Sequence, residues 1–352
     1  MSVVPSVSVV LPVHNGRDFV ESSIRSILTQ DFTDFELIVG DDGSDDGTGE
    51  LLAKLALEDS RIRLLRRPVK SGLAGSANWV ISEARAPLVA IAHADDIYHS
   101  SRLRRQVELL AQRPDAVLVG TLADGIDAQG RAVQPPNLSR LFKPSPFAPF
   151  AHSTIMFRID AFSGAGGYRS QADAWEDLDL YWRMAGQGRI LVIPEVLASY
   201  RHSGASIRER HGEKIEKALD AMYRAVALHR EGRDWAPLLG KPGRGRVHPR
   251  IFVARSWVRV WSGQRSHVLG GMLRRAEFRL DLASVQSLAF VAWATVSPRS
   301  LRLLLQMVGK ARNARARRRL DGLEFLEWKS MSGDRKSVKT SAPPSVAVAR
   351  QP

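Results

Sequence analysis

The chain has 352 residues, no cysteine and a formal net charge of +14, so a disulfide framework and a thiolate metal site are excluded and nothing calls for an oxidising compartment. From residue 244 onward there are 22 Lys or Arg against 6 Asp or Glu, which leaves 29 against 31 in the rest. A near-neutral body with a basic appendage points to a catalytic or binding domain tethered to an anionic surface, either membrane or nucleic acid.

No basic residue precedes the first apolar run, and Pro5 and Pro12 interrupt that run, so no secretion signal is expected. Residues 7–13 (VSVVLPV) are a short β-branched run that stops at His14, Asn15 and Gly16, the pattern of a buried parallel strand before a turn. Over 17–30, Phe19, Val20, Ile24, Ile27 and Leu28 recur at helical spacing. A second strand at 35–40 (FELIVG) ends in DDGSDDGTG. Helix follows around 51–56, strand at 62–65 and helix from about 71 to 84. Strand at 88–92 (LVAIA) then runs into HADD. Strand alternating with helix argues for a parallel doubly wound sheet.

Beyond it, 102–112 reads as helix, 116–121 as strand and 127–130 as a turn. The proline-rich stretch 134–150 reads as a loop over the site. The segment WEDLDLYWR at 175–183 is acidic first and amphipathic after, which suits a helix N-terminus. Residues 190–193 continue the sheet, 213–231 are helix-prone, and 241–249 (KPGRGRVHP) read as a linker.

Two strands therefore end in paired carboxylates, Asp41 with Asp42 and Asp95 with Asp96. Adjacent acids at the mouth of a buried strand lose hydration and repel each other, so they require a cation or a use for their charge. In an open α/β sheet the carboxyl ends of strands face the ligand crevice. Hard carboxylate oxygens favour magnesium or manganese over zinc, and such a cation would hold a diphosphate. Neither a Walker-type loop nor GxGxxG is present.

Seven blocks, VSVVLPVHNG, FELIVGDDGSDDGT, GLAGSANWVISEA, HADD with RLRRQVELL, GGYR, WEDLDLYWRM and PEVLASYRHSGAS, occur in an order and at spacings that resemble the inverting family 2 glycosyltransferases. The resemblance spans 7–207. It implies a GT-A (Rossmann-like) α/β fold with a mostly parallel mixed sheet flanked by helices, and a C-terminal helical basic extension. The expected organisation is a catalytic domain over 1–240, with a nucleotide-binding half to about 122 and an acceptor half from 123. The linker at 241–249, a basic extension at 250–329 and a disordered tail at 330–352 follow.

The same resemblance implies roles. Pro12, Val13, His14 and Asn15 would lie at the nucleotide base, and Asp41 or Asp42 would bind base and ribose. Asn78, His93, Ala94 and Asp95 would complete the nucleotide-sugar contacts. Asp95 ends the family's metal-binding DxD motif and Asp96 follows it, with Mn2+ or Mg2+ as cofactor. His93 replaces the motif's first acid, so it either ligates the metal, hydrogen-bonds, or packs beneath the nucleotide. Asp177 would be the general base, with Glu176 as the alternative, and His202 would reach the diphosphate or metal. Arg201 would contact phosphate or pair with an acid; His152 has a weaker case.

The implied reaction moves a sugar from a nucleoside-diphosphate-sugar, a UDP-sugar first, to a hydroxyl of a glycan or lipid-linked acceptor in cell-surface polysaccharide synthesis. In the extension, 282–297 is uncharged, but its sixteen residues fall short of the ~20 that span a bilayer. An interfacial helix flanked by arginines fits better, giving a cytoplasmic protein peripheral at the inner membrane face. A sugar nucleotidyltransferase would need a Gly- and Arg-rich phosphate loop that HNGRDF does not supply. A nucleic-acid-binding role for the tail leaves the acidic crevice unexplained, so no nucleic acid partner is expected.

Overall fold

The computed structural model describes residues 4–134, 136, 141, 147–172, 175–202, 221–222, 224–229, 231–239, 313, 316, 319–320 and 323–328. Ten strands form one sheet: β1 (Val7–Val13), β2 (Phe35–Asp42), β3 (Ile62–Arg67), β4 (Leu88–Ile91), β5 (Ile97–Tyr98), β6 (Ala116–Asp127), β7 (Ala132–Gln134), β8 (Met156–Arg158), β9 (Arg189–His202) and β10 (Leu326–Trp328). The order across the sheet is β10-β9-β6-β8-β4-β1-β2-β3, with β5 on β9 and β7 on β6. Strands β4, β1, β2 and β3 run parallel, as do β6 and β9. The expected alternation of strand and helix accounts for the first of these sets. Between the two lies β8, antiparallel to both β4 and β6, so the sheet is mixed.

Successive residues of the central strands serve opposite faces, as the pleat requires. Val9, Leu11, Leu37, Val39 and Ala90 join one core, which α1 (Val20–Leu28), α2 (Thr48–Glu58) and α4 (Arg102–Gln112) cover. Val10, Ile38, Val89 and Ile91 join the other, under α3 (Leu73–Ser82), α5 (Ile159–Gly164) and α6 (Glu176–Met184). Gly40, which precedes the first acid pair, lies so close to α3 that a Cβ there would collide with the Val80 side chain. The glycine lets strand and helix approach, and that approach fixes where Asp41 and Asp42 emerge.

Several elements differ in extent from the sequence reading. Strand β9 is fourteen residues long, far beyond the expected 190–193, because its second half continues to pair with β6 as far as Asp127 opposite His202. The short elements β5, β7, α5 and β10 are additions. The linker at 241–249, the apolar run at 282–297 and the tail at 330–352 lie outside the described residues. Residues 323–328 of the basic extension do not: β10 pairs antiparallel with β9, and Arg189 bonds Glu327 at 2.8 Å.

One buried ion pair ties β1, β2, β3 and the entry to β4 together. Glu36 accepts from the Ser8 hydroxyl at 2.7 Å, the Arg85 N–H at 2.9 Å and Arg63 at 2.7 Å. Burial pulls the Glu36 pKa up, but the bonds from Arg63, Ser8 and Arg85 outweigh it and hold the carboxyl below its ordinary 4.5. Its stabilisation is therefore present in full above the unfolded pKa and disappears as pH falls through the lowered folded value. Glu36→Gln is expected to cost about 1–3 kcal/mol in urea unfolding at pH 7, and the gap between the two chains should narrow below pH 4.5. A gap independent of pH would remove the ionised carboxylate from this account.

Candidate active site

The site is built where β1, β2 and β4 end. At β4 the chain leaves the sheet through HADD, and every part of that turn is tied down. The His93 N–H donates to the Tyr98 hydroxyl at 2.6 Å, and the Ser23 hydroxyl donates to the His93 carbonyl at 2.8 Å. Arg102 is buried and donates to the Ile91 and Ile155 carbonyls at 2.8 and 3.2 Å. Its guanidinium lies 4.6 Å from the centroid of the Tyr98 ring. Burial lowers the Arg102 pKa to about 10, against the opposing pull of Tyr98 and Asp96, so it remains a cation.

Asp96 is fully buried. Its Oδ1 accepts the Arg201 N–H at 3.0 Å. Burial raises its pKa, His93 lowers it, and the neighbouring Asp95 raises it again. The Ser153 hydroxyl is near enough to temper that rise, yet Oδ2 completes no hydrogen bond. One ligand atom from each of His93, Asp95 and Asp96 lies within 4.8 Å of the others, the group among the described residues that suits a metal ion. An orphaned buried carboxylate oxygen beside an imidazole nitrogen and a second carboxylate is a donor set that fits Mn2+ or Mg2+.

Arg201 has a different task from the expected one. It is buried, and its guanidinium donates to the carbonyls of Asp95, Asp127 and Ala128 at 2.7, 3.0 and 3.1 Å. Its guanidinium binds main chain and clamps the HADD turn to the end of β6. His202, next along β9, is exposed, packs edge-on against Tyr200 and stands outside the three-residue group.

At the ends of β1 and β2, His14 donates from Nδ1 to the Asp42 carbonyl at 3.0 Å, which leaves Nε2 as an acceptor. Pro12 and Val13 are the last two residues of β1, paired with Gly40 and Asp41 of β2. Asn15 adopts φ 55, a left-handed conformation that asparagine tolerates. Its side chain donates to Asp45 at 2.7 Å and accepts the Asp45 N–H at 3.0 Å, so it locks two loops together. Asp41 accepts the Ser44 N–H at 3.0 Å and Arg66 at 3.3 Å. Asp42 accepts Arg67 at 2.5 Å and the Ser71 N–H at 3.1 Å, while Arg67 lies over the Trp79 ring. Asp41, Gly43, Ser44, Arg66, Arg67 and Pro68 line a cleft of about 300 Å³.

Asn78 also departs from expectation. Its amide donates to the Tyr168 carbonyl at 2.8 Å and accepts the Tyr168 N–H at 2.9 Å. Both functions are spent on backbone, and Ala94 is a half-buried spacer against the core. Glu176 and Asp177 begin α6 and are half-buried. Their charges raise the pKa of the Tyr168 hydroxyl beyond the effect of its burial, which places both carboxylates close to that ring.

The family model described as Glycosyl transferase family 2 matches residues 8–165. EpsE of Bacillus subtilis (strain 168), designated a glycosyltransferase, is 33% identical over 215 residues, covering 58% of this chain and 76% of EpsE. The chain belongs to glycosyltransferase family 2. The O-antigen biosynthesis glycosyltransferase WbnJ of Escherichia coli is 29% identical over 235 residues, covering 64% of this chain and 88% of WbnJ. The fold of this glycosyltransferase is the GT-A fold. The mannosyltransferase PcManGT from Pyrobaculum calidifontis, solved with GDP-Man and Mn2+, superposes with a TM-score of 0.53 at 19% identity, covering 90% of this chain and 88% of that one.

The sequence reading passed lightly over His152 and assigned nothing to Tyr168. Tyr168 lies in the GGYR block, and the glycine pair before it is the available signal. Gly166 and Gly167 have φ of 77 and 65, so the turn that delivers Tyr168 needs residues without a Cβ. Asn78→Ala in this glycosyltransferase is expected to cost about 1–3 kcal/mol of stability, because it orphans two backbone groups of Tyr168. Unchanged stability with weakened nucleotide binding would return Asn78 to the donor site.

Proposed function

We propose that the enzyme moves a sugar from a nucleoside-diphosphate-sugar, a UDP-sugar first, to a hydroxyl of a glycan or lipid-linked acceptor, with inversion, in the synthesis of a cell-surface polysaccharide. The observation that carries the donor half is the buried, unbonded Oδ2 of Asp96 within the His93, Asp95 and Asp96 group. Such a group asks for a divalent cation, and a divalent cation at strand ends asks for a diphosphate. The biosynthetic setting rests on WbnJ, and PcManGT supplies a GT-A precedent for a sugar nucleotide with manganese.

In this reading Asp95 and Asp96 hold the cation together with His93, while the cleft beside Asp41 takes the nucleobase, with His14 at its edge. A cation bound there would offset the charge that grows on the departing diphosphate. Asp177 accepts the proton of the acceptor hydroxyl as that oxygen bonds to the anomeric carbon. The bond from that carbon to the diphosphate oxygen breaks, and its electron pair leaves with the nucleoside diphosphate. Attack from the opposite face in one displacement inverts the centre. Glu176 is the alternative base. Asn15, Asn78 and Ala94 position neighbours, and His202 stands outside the cation group.

Asp177→Asn is expected to keep donor binding and lower transfer by about 10²–10⁴-fold. Binding should be measured against UDP-, GDP- and dTDP-sugars with Mn2+, and the product anomer read by NMR. Unchanged transfer would pass the role to Glu176, and a retained anomer would overturn the single displacement.

Among the described residues no helix is long and apolar enough to cross a membrane. We place the enzyme at the inner face of the cytoplasmic membrane through the basic charge of residues 244–352. The full chain should sediment with vesicles containing anionic lipid and be released by salt, and should ignore neutral vesicles. Salt-sensitive RNA binding with no vesicle binding would overturn that placement.

A further inference from the structure

His93 opens the HADD segment, and the structure gives its ring a partner. His93 Nε2 faces His152 Nδ1 at 2.9 Å, and His152 Nε2 faces the Tyr168 hydroxyl at 2.7 Å. The His152 ring is half-buried, edge-on to Tyr168 and tilted against Tyr181. Asn78 holds Tyr168 by both backbone groups. Three side chains from β4, from the turn before β8 and from the GGYR turn thus form one line. It starts beside Asp96, since His93 Nδ1 lies 3.8 Å from Asp96 Oδ2. It ends at Tyr168, within the field of Asp177 and Glu176.

A line of facing nitrogens has two arrangements, because each contact needs one proton and one lone pair. In the first, Tyr168 donates to His152, His152 donates to His93, and the Nδ1–H of His93 points at Asp96. In the second, the Nε2–H of His93 donates to His152, the Nε2–H of His152 donates to Tyr168, and the Tyr168 hydroxyl proton turns away from His152. Protons on the three side chains are equal in number in both. One observation favours the second: at 3.8 Å the Asp96 oxygen is too far from Nδ1 for a hydrogen bond, and that oxygen accepts none.

We propose that His152 and Tyr168 are positioning residues that fix His93 as its Nε2–H tautomer, so that the Nδ1 lone pair faces Asp95 and Asp96 as a third ligand for a divalent cation. The proposal rests on the metal reading given under Proposed function and deepens it. A hydrogen bond to the far nitrogen of a ligating histidine sets its tautomer and aim and makes it the more basic ligand. At its far end the same line comes within the field of Asp177 and Glu176.

The test uses the full chain labelled with 15N-histidine. In the metal-free protein His93 is expected as the Nε2–H tautomer, and Tyr168→Phe should shift it toward Nδ1–H by removing the acceptor for His152. Binding of Mn2+ alone, followed by electron paramagnetic resonance, should weaken about 10- to 100-fold in His152→Phe. His152→Asn, whose side-chain oxygen can stand where Nδ1 stands, should restore it. An Nδ1–H tautomer in the unaltered chain overturns the proposal, as does Mn2+ binding by a folded His152→Phe equal to that of the unaltered chain. If the unaltered chain binds no Mn2+ while His93 remains Nε2–H, the metal reading of the function falls and the positioning chain stands.

Discussion

A carboxylate sealed from water at the end of a central strand is the constraint on which the rest of this site depends. Asp96 has no exposed surface, and a lone buried charge is among the costliest things a fold can contain. The surroundings answer it piece by piece. A buried guanidinium from α4 stands on one side, a backbone N–H from β9 arrives at Oδ1, and an imidazole faces Oδ2. None of these closes the account on Oδ2. A cationic helix residue, a long strand and a fixed turn surround this oxygen and leave it without a hydrogen bond.

The arginines show how those surroundings are organised. Arg102 and Arg201 spend their guanidinium groups on carbonyl oxygens rather than on acids. The planar fork suits this use, since it satisfies several acceptors at once from one rigid group. Carbonyls at strand ends have lost their sheet partners, and an arginine beneath them substitutes for the missing ladder. Arg66 and Arg67 play the complementary part on β3, holding Asp41 and Asp42 at the end of β2. Arg102 and Arg201 are the buried arginines among the described residues, and both serve as internal scaffolding.

Much of the fold was legible because strand runs and helical spacing are local signals. VSVVLPV, FELIVG and LVAIA could only be buried strands, and the acids that stopped them marked the crevice. Elements of two or three residues such as β5, β7 and β10 carry no such signal, and the reversed direction of β8 depends on a crossover that no local pattern records. In the site, His93, Asp95 and Asp96 were legible from their position after a strand. Asn78 and Arg201 were misleading for one shared reason. A polar side chain near a site reads as a ligand contact, while its actual partners were backbone groups far away in sequence. The pairing of His93 with His152, 59 residues on, was equally out of reach of spacing arguments.

Strand β10 has a consequence for how the protein is made. Residues 326–328 close the outer edge of β9, and Trp328 lies edge-on to Tyr181 of the helix that carries Asp177. Phe325 and Leu326 enter opposite cores of the sheet. A chain leaving the ribosome assembles its N-terminal units first, so β1 to β9 can form before β10 is synthesised. The wall behind α6 cannot. Until residue 328 emerges, the β9 edge stays open to pairing with other chains.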